Sequence, residues 1–420
     1  MAHAMTFAEK ALAHHAGLGR VSPGEIVLVR PDVALSHDNS AAIAETFQAM
    51  GARHVFNPQV NAIFLDHAAP PPSTKHADNH RAVRDFVRAQ GIKNFFDVGH
   101  GICHQVLVEE GLALPGEIVL GADSHTPHAG VMGAFAAGIG RTEMASVWAL
   151  GEIWLRVPES IKILVSGELN YGVTAKDIAL AVIAEQGADG ALYMSVEWHG
   201  ETIEALDVSE RSVLTNMMAE MGAKNSIIPV DGKTTAYLSG RARQKFKPLH
   251  PDANASYRKT IEVDVSTLEP LVACPHRVDN VRPLSQMNDI RIDQAFLGTC
   301  TNGRLEDLEQ AAALLKGRAV HQDVRFYVIP ASARILHRAI ENGTIETLLA
   351  AGAVLGTPGC GPCMGNHMGV PGTGEVTVST ANRNFQGRMG TRGSEIYLAN
   401  PLIVAASAIT GKLTHPKELL

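Results

Sequence analysis

Apolar residues recur at helical spacing over residues 6–16, where Phe7, Ala8, Ala11, Leu12 and His15 share one face. The unbroken run Ile26-Val27-Leu28-Val29 predicts a strand, closed by Pro31-Asp32 and a polar loop to Ser40. A helix is expected from there through Met50. Short apolar runs at 54–56, 62–65, 94–97 and 118–120 predict further buried strands, and the small-residue stretch 133–150 predicts a helix. After Pro158 the pattern restarts with a strand at 161–166, helices at 175–185 and 212–221, and a strand at 260–265. Residues 241–257 are basic and polar with little periodic signal, and 273–285, holding Pro275 and Pro283, is the best linker candidate. Beyond it, predicted strands at 292–297, 324–329 and 353–355 alternate with helices at 305–315 and 333–342.

Strand, loop and helix in alternation imply parallel α/β layers. At 420 residues the chain exceeds one ordinary core. The expected architecture is three α/β domains, at 1–160, 161–283 and 284–420. A strand ending in glycine and small polar residues occurs three times, in Val119-Leu120-Gly121-Ala122-Asp123-Ser124-His125, Phe296-Leu297-Gly298-Thr299-Cys300-Thr301-Asn302 and Val354-Leu355-Gly356-Thr357-Pro358-Gly359-Cys360. In open α/β sheets ligands sit beyond the carboxyl ends of strands, so such loops can converge on one anion.

Composition narrows the class. The chain is 45% apolar and 19% charged with a net charge of −7, and no Lys/Arg block stands out, which argues against a nucleic-acid partner. Five cysteines are an odd count, so a disulfide framework is not expected and a reducing, cytoplasmic setting fits better. The first ten residues lack an apolar signal core, and no apolar run reaches membrane-spanning length, so no membrane partner is expected. Glycine (39) and histidine (19) are plentiful while aromatics are 5%, which suits glycine-rich loops with polar tips.

Cys300 and the pair Cys360-Gly361-Pro362-Cys363 carry the most specific chemistry. A cubane iron–sulfur cluster usually takes four thiolates, so three leave one iron open to act as a Lewis acid. The Cys-x-x-Cys pair alone also reads as a redox dithiol or as part of a zinc site, with His367 as a fourth ligand beside Cys300. Glycines around the sulfurs suit a bulky cluster. Cys103 and Cys274 lack partners at useful spacing and read as buried thiols. Imidazole and carboxylate stand together in His37-Asp38, Asp66-His67, His100/His104 and Asp123-Ser124-His125, all at predicted strand ends. Arg383 and Arg388, five apart in a glycine-bearing segment, suit a di- or tricarboxylate by bidentate hydrogen bonding. Walker A, Rossmann and His-Glu-x-x-His motifs are absent from the sequence.

Taken together, the segments Gly121-Ala122-Asp123-Ser124-His125-Thr126, Gly298-Thr299-Cys300-Thr301-Asn302-Gly303, Cys360-Gly361-Pro362-Cys363 and Asn382-Arg383-Asn384-Phe385 resemble the aconitase superfamily of iron–sulfur hydro-lyases, in the same order and nearly end to end. The resemblance implies one [4Fe-4S] cluster on Cys300, Cys360 and Cys363. It implies an acid pair of Asp66 and His67, and further carboxylate–imidazole pairs of His104 with Asp123 and His125 with Glu220. Asn216 and Asn382 would hydrogen-bond near the cluster, and His37, Ser124, Arg383 and Arg388 would meet the substrate. His37 falls where aconitase proper has glutamine, which points to the isopropylmalate/homoaconitate branch.

Monomeric aconitases continue into a swivelling fourth domain, whereas this chain ends at Leu420. The resemblance therefore implies a large subunit that is inactive alone. Its partner would be a small swivel-domain subunit bringing a serine base and the specificity loop. The substrate would be a small hydroxy acid: isopropylmalate first, homocitrate-type acids next, then methylated malates or maleates. An iron-responsive RNA binder and a thiol–disulfide oxidoreductase are the readings from other classes.

Overall fold

The computed structural model describes residues 4–287 and 289–420. Its α/β architecture is built on three principal sheets of five, four and seven strands, with a small antiparallel ribbon of Ile26–Val29 against Ile153–Arg156. The first sheet is wholly parallel and runs, in spatial order, Asn94–Phe96, Asn61–Phe64, Val33–Ser36, Ile118–Gly121 and Phe135–Gly138. Its chain order reverses between Val33–Ser36 and Ile118–Gly121, and that reversal opens a crevice at their carboxyl ends.

The second sheet orders Asn225–Ile227, Ser195–His199, Ser160–Ser166 and Lys259–Asp264, again all parallel. The third has a parallel body of Glu395–Leu398, Val376–Ser379, Gln294–Leu297, Arg325–Val328 and Val354–Leu355. Leu271–Ala273 and Val281–Pro283 add an antiparallel edge. Here the order reverses between Gln294–Leu297 and Val376–Ser379, so this sheet has a crevice of its own.

Local chemistry sets the helix ends. Thr6 and Glu9 form a capping box at the start of Phe7–His15. Asn400 accepts from the Ile403 N–H ahead of Pro401, which starts Pro401–Thr410, and Gly411 at φ +78° stops it. Leu305–Leu315 and Pro401–Thr410 cover one face of the seven-stranded sheet. The other face contributes Phe296, Ile396 and Leu398, with Ile329 and Cys363 from the adjoining loops, to an apolar cluster shared with Ile178, Leu214 and Met217 of the second layer. Each such buried Leu or Ile stabilises by about 1.5–3 kcal/mol, so two sheets are joined by a common core.

Several expectations need correction. The stretch 133–150 is not one helix: Phe135–Gly138 completes the first sheet, and the helix Arg141–Leu150 starts only after Gly140. Glycine at 133, 138 and 140 disfavours a continuous helix. The loop read between Pro31 and Ser40 hides Val33–Ser36, a fully buried central strand too short to signal itself. Residues 54–56 form no strand; the Phe56 N–H instead donates to the Trp148 carbonyl at 2.7 Å. The segment read as a linker, 273–285, supplies the antiparallel edge of the third sheet, so that sheet begins before residue 283.

Candidate active site

The two crevices hold the sequence-predicted residues. Loops after Val33–Ser36, Asn61–Phe64 and Ile118–Gly121 present His37, then Asp66 and His67, then Asp123, Ser124 and His125. Loops after Gln294–Leu297 and Val376–Ser379 present Cys300 and then Asn382 and Arg383. The second layer adds Asn216 from the helix Val208–Met217 and Glu220 from the turn that follows.

On the histidine side, Asp123 is the hub. Its Oδ1 lies 2.7 Å from His104 Nε2 and accepts from the His125 N–H at 2.8 Å. Its Oδ2 lies 3.6 Å from His67 Nε2 and 3.9 Å from His37 Nε2. Burial works against its charge, yet His104, His125 and His67 hold the Asp123 pKa well below 3.8. Asp66 Oδ1 lies 2.7 Å from His67 Nδ1, while its Oδ2 accepts from the Cys103 N–H at 2.8 Å. Burial would lower the His67 pKa, but Asp66 and Cys360 raise it well above 6.5. His37 stacks on the His67 ring at 3.7 Å. Burial, then the neighbouring His67, press its pKa down to about 4, so it stays neutral. His125 Nε2 meets Glu220 Oε1 at 2.8 Å, and Arg383 Nε donates to both Glu220 oxygens at 2.8 and 2.9 Å. Ser124 is exposed at the rim.

On the cysteine side the donors are amides and guanidinium. Asn216 Nδ2 and Asn382 Nδ2 donate to Cys300 Sγ at 3.3 and 3.4 Å. Arg388 Nη2 donates to Cys363 Sγ at 3.4 Å, so this arginine faces the sulfurs rather than open solvent. The loop before Cys360 is tied to the histidine side by the Cys360 N–H, which donates to the Asp66 carbonyl at 2.8 Å. Gly361 makes this approach possible: a Cβ there would meet the His67 carbonyl at 2.8 Å and the His367 ring closer still. Gly298, at φ +137°, bends the chain into the Cys300 loop where a Cβ would strike the Ile329 carbonyl.

The residues fit an iron–sulfur cluster. Three free thiols stand among N–H donors aimed at sulfur, and the buried Arg388 Nε and Asn382 Oδ1 have no partner among the described residues. The described His/Cys/Asp/Glu group compact enough for a single ion is His37, Asp38, Asp66 and His67, and the three thiols form no such group.

Sequence reasoning missed several positions. Asp38 does not pair with its neighbour His37. Its carboxylate accepts from the N–H groups of Asp66, His67 and Ala68 and meets His80 Nε2, which ties the two loops together. Lys176 is fully buried and donates to the carbonyls of Thr380 and Ala381, directly before Asn382. Its lysine-at-a-helix-start context gave no signal, because the partner carbonyls lie some 200 residues away. His100 sits outside the cluster, exposed beside Asp97. Cys103 and Cys274 are buried, as expected.

A family model, Aconitase family (aconitate hydratase), matches residues 9–289 and 283–411. The chain belongs to the aconitase family. A probable 3-isopropylmalate dehydratase large subunit of Methanothermobacter thermautotrophicus is 49% identical over 416 residues, covering 99% of both chains. A 3-isopropylmalate dehydratase large subunit of Halothermothrix orenii is 47% identical, covering 99% of this chain and 100% of its own. A probable methanogen homoaconitase large subunit of M. thermautotrophicus is 48% identical, covering 99% of this chain and 98% of its own. The crystal structure of Thermococcus kodakaraensis aconitase X shares the fold, with a TM-score of 0.51 at 13% identity over 90% of each chain. Membership makes this protein a hydro-lyase, and the resemblance and α/β class expected from sequence hold. Among the described residues no helix is long and apolar enough to cross a membrane.

Proposed function

We propose that this chain is the cluster-bearing large subunit of a cytoplasmic hydro-lyase that interconverts 2- and 3-isopropylmalate. The observation that carries the reading is the meeting of three free cysteines with the Asp123-centred histidine network, in a chain 49% identical end to end to a probable 3-isopropylmalate dehydratase large subunit. Cys300, Cys360 and Cys363 would hold one [4Fe-4S] cluster. When bound, such a cluster supplies a Lewis-acidic iron that eases departure of a hydroxyl.

The chain's own residues do the rest. Asp66 fixes the Nδ1 side of His67, leaving Nε2 facing the site to hand a proton to the departing hydroxyl. Asp123 orients His104, and Glu220 orients His125, at the water side of the same chamber. Arg383 is anchored through Nε by Glu220, which leaves its remaining N–H groups for a substrate carboxylate. Arg388, with an unpartnered Nε, and the exposed Ser124 would bind further substrate oxygens. Neutral His37, stacked on His67, would face the part of the substrate that differs between isopropylmalate and citrate. Asn216 and Asn382 would steady the cluster through Cys300. A small swivel-domain subunit would bring the serine that removes the α-proton and the loop that selects the side chain.

Homoaconitase is the second reading, favoured by the 48% identical relative of that name. Anaerobic co-purification with the small subunit, followed by substrate profiling, separates the two. Isopropylmalate turnover is the expected result; turnover of homocitrate without isopropylmalate overturns the choice. Colourless, iron-free anaerobic protein with a reducible Cys360–Cys363 disulfide would overturn the hydro-lyase mechanism itself.

A further inference from the structure

Behind Cys300 lies a cavity of about 460 Å³ that none of the residues given a role above lines. It opens between the helices Cys103–Glu109 and Ala333–Glu341 and the start of Leu305–Leu315. Its volume is that of a small-molecule site. Val108, Val131, Val208 and Ile335 give it an aliphatic wall. Five Lys or Arg side chains and three Asp or Glu side chains line it, a cationic balance in a chain of net charge −7.

One buried donor in this cavity lacks an acceptor among the described residues, and one exposed cation at it is unpaired. His128 is 1% exposed and lines the cavity. Asn216 Oδ1 accepts from Thr301 Oγ1 at 2.9 Å and from Asn382 Nδ2, which identifies the other end of that amide as its NH₂. That NH₂ points to His128 Nδ1 at 3.3 Å, so Nδ1 is the acceptor and the ring proton sits on Nε2. Nε2 has no partner among the described residues. A buried N–H without an acceptor is costly, and a ligand oxygen would relieve it. Most of the cations are engaged: Lys233 and Arg304 donate to backbone carbonyls, and Arg334 to Glu110. Arg338 is exposed at the cavity, and its side chain has no hydrogen-bond or ion-pair partner among the described residues.

We propose that this cavity is a second ligand site that takes a small amphipathic carboxylate; it adjoins the active site through His128, which packs 6.1 Å from the His104 ring, but is lined by other residues. The aliphatic body packs on the valine and isoleucine wall, and the oxygens accept from Arg338 and His128. The test is calorimetric titration of 4-methylpentanoate into the anaerobically purified full chain, beside the Arg338→Gln, His128→Asn and Arg383→Gln variants. Saturable binding is expected. Arg338→Gln and the neutral probe 4-methylpentanamide should each weaken it about tenfold, the effect of one charge-assisted hydrogen bond. His128→Asn should weaken it less, and Arg383→Gln should leave it unchanged. Absence of saturable binding, or equal affinity in Arg338→Gln, overturns the proposal. So does loss in Arg383→Gln alone, which would assign the probe to the active site. None of these readouts depends on turnover, so the site can fail while the proposed activity stands, and the reverse.

Discussion

The two halves of the active site are built from opposite materials. The half contributed by the five-stranded sheet is a mesh of imidazole and carboxylate in which Asp123, Asp66 and Asp38 each serve several partners. The half contributed by the seven-stranded sheet has thiols, amides and glycine, with Arg383 and Arg388 as its charged members. Both occupy the same topological position, the carboxyl edge of a parallel sheet where strand order reverses. Position in the fold thus marks a place for chemistry, while loop composition decides which chemistry. One half is suited to moving protons, the other to holding sulfur-bound metal.

That division can be broken most sharply at the thiols. Cys300→Ser should abolish both bound iron and turnover while leaving the thermal transition near that of the wild type measured without iron. Iron analysis and calorimetry would show it; retained iron would mean that Cys300 is not a ligand. Next, Asp123→Asn should keep its iron yet lose roughly 10²–10⁴ in turnover, the usual scale of an acid–base contribution. Loss of iron in that variant would dissolve the distinction between the halves. Asn216→Ala should act on the other side, weakening iron retention by about 10–100-fold through the lost bond to Cys300, followed as release to a chelator.

Two smaller effects concern scaffolding. Asp38→Asn removes the charged acceptor of three N–H groups and of His80. It should destabilise the fold by about 1–3 kcal/mol, measured by denaturant unfolding. Far from the site, His15 Nε2 meets Asp32 Oδ2 at 2.7 Å. Burial opposes both charges, but the pairing raises His15 above 6.5 and lowers Asp32 below 3.8. The His15 contribution is therefore complete below pH 6.5 and fades as pH rises through its raised folded value. The Asp32 contribution is present above pH 3.8 and fades as pH falls through its lowered one. The stability gap between wild type and His15→Gln should be widest between those limits and shrink in alkali, with activity unchanged.

Much of this was legible in the chain. Strand-to-loop junctions ending in glycine pointed to 121–125, 298–302 and 356–360, and Cys300 lies near enough to Asp123 and Cys360 for both charges to act on it. What escaped was of two kinds. Val33–Ser36 and Phe135–Gly138 are too short or too rich in small residues to carry a period, and only pairing to neighbours makes them strands. Asp38, His128 and Lys176 act through partners between 28 and 205 residues away, and no local spacing encodes such contacts. The pairing of His37 with Asp38 was suggested by adjacency, yet their side chains serve different neighbours.

Lys176 has a consequence beyond its own contacts. Its amine, shut away from water, clasps the two carbonyls immediately ahead of Asn382 and Arg383. The segment that carries Arg383, the proposed substrate arginine, is thereby moored to a helix of a different layer. Burial lowers the Lys176 pKa to about 7, so the aim of Arg383 depends on how the layers nest and on the proton that this amine keeps.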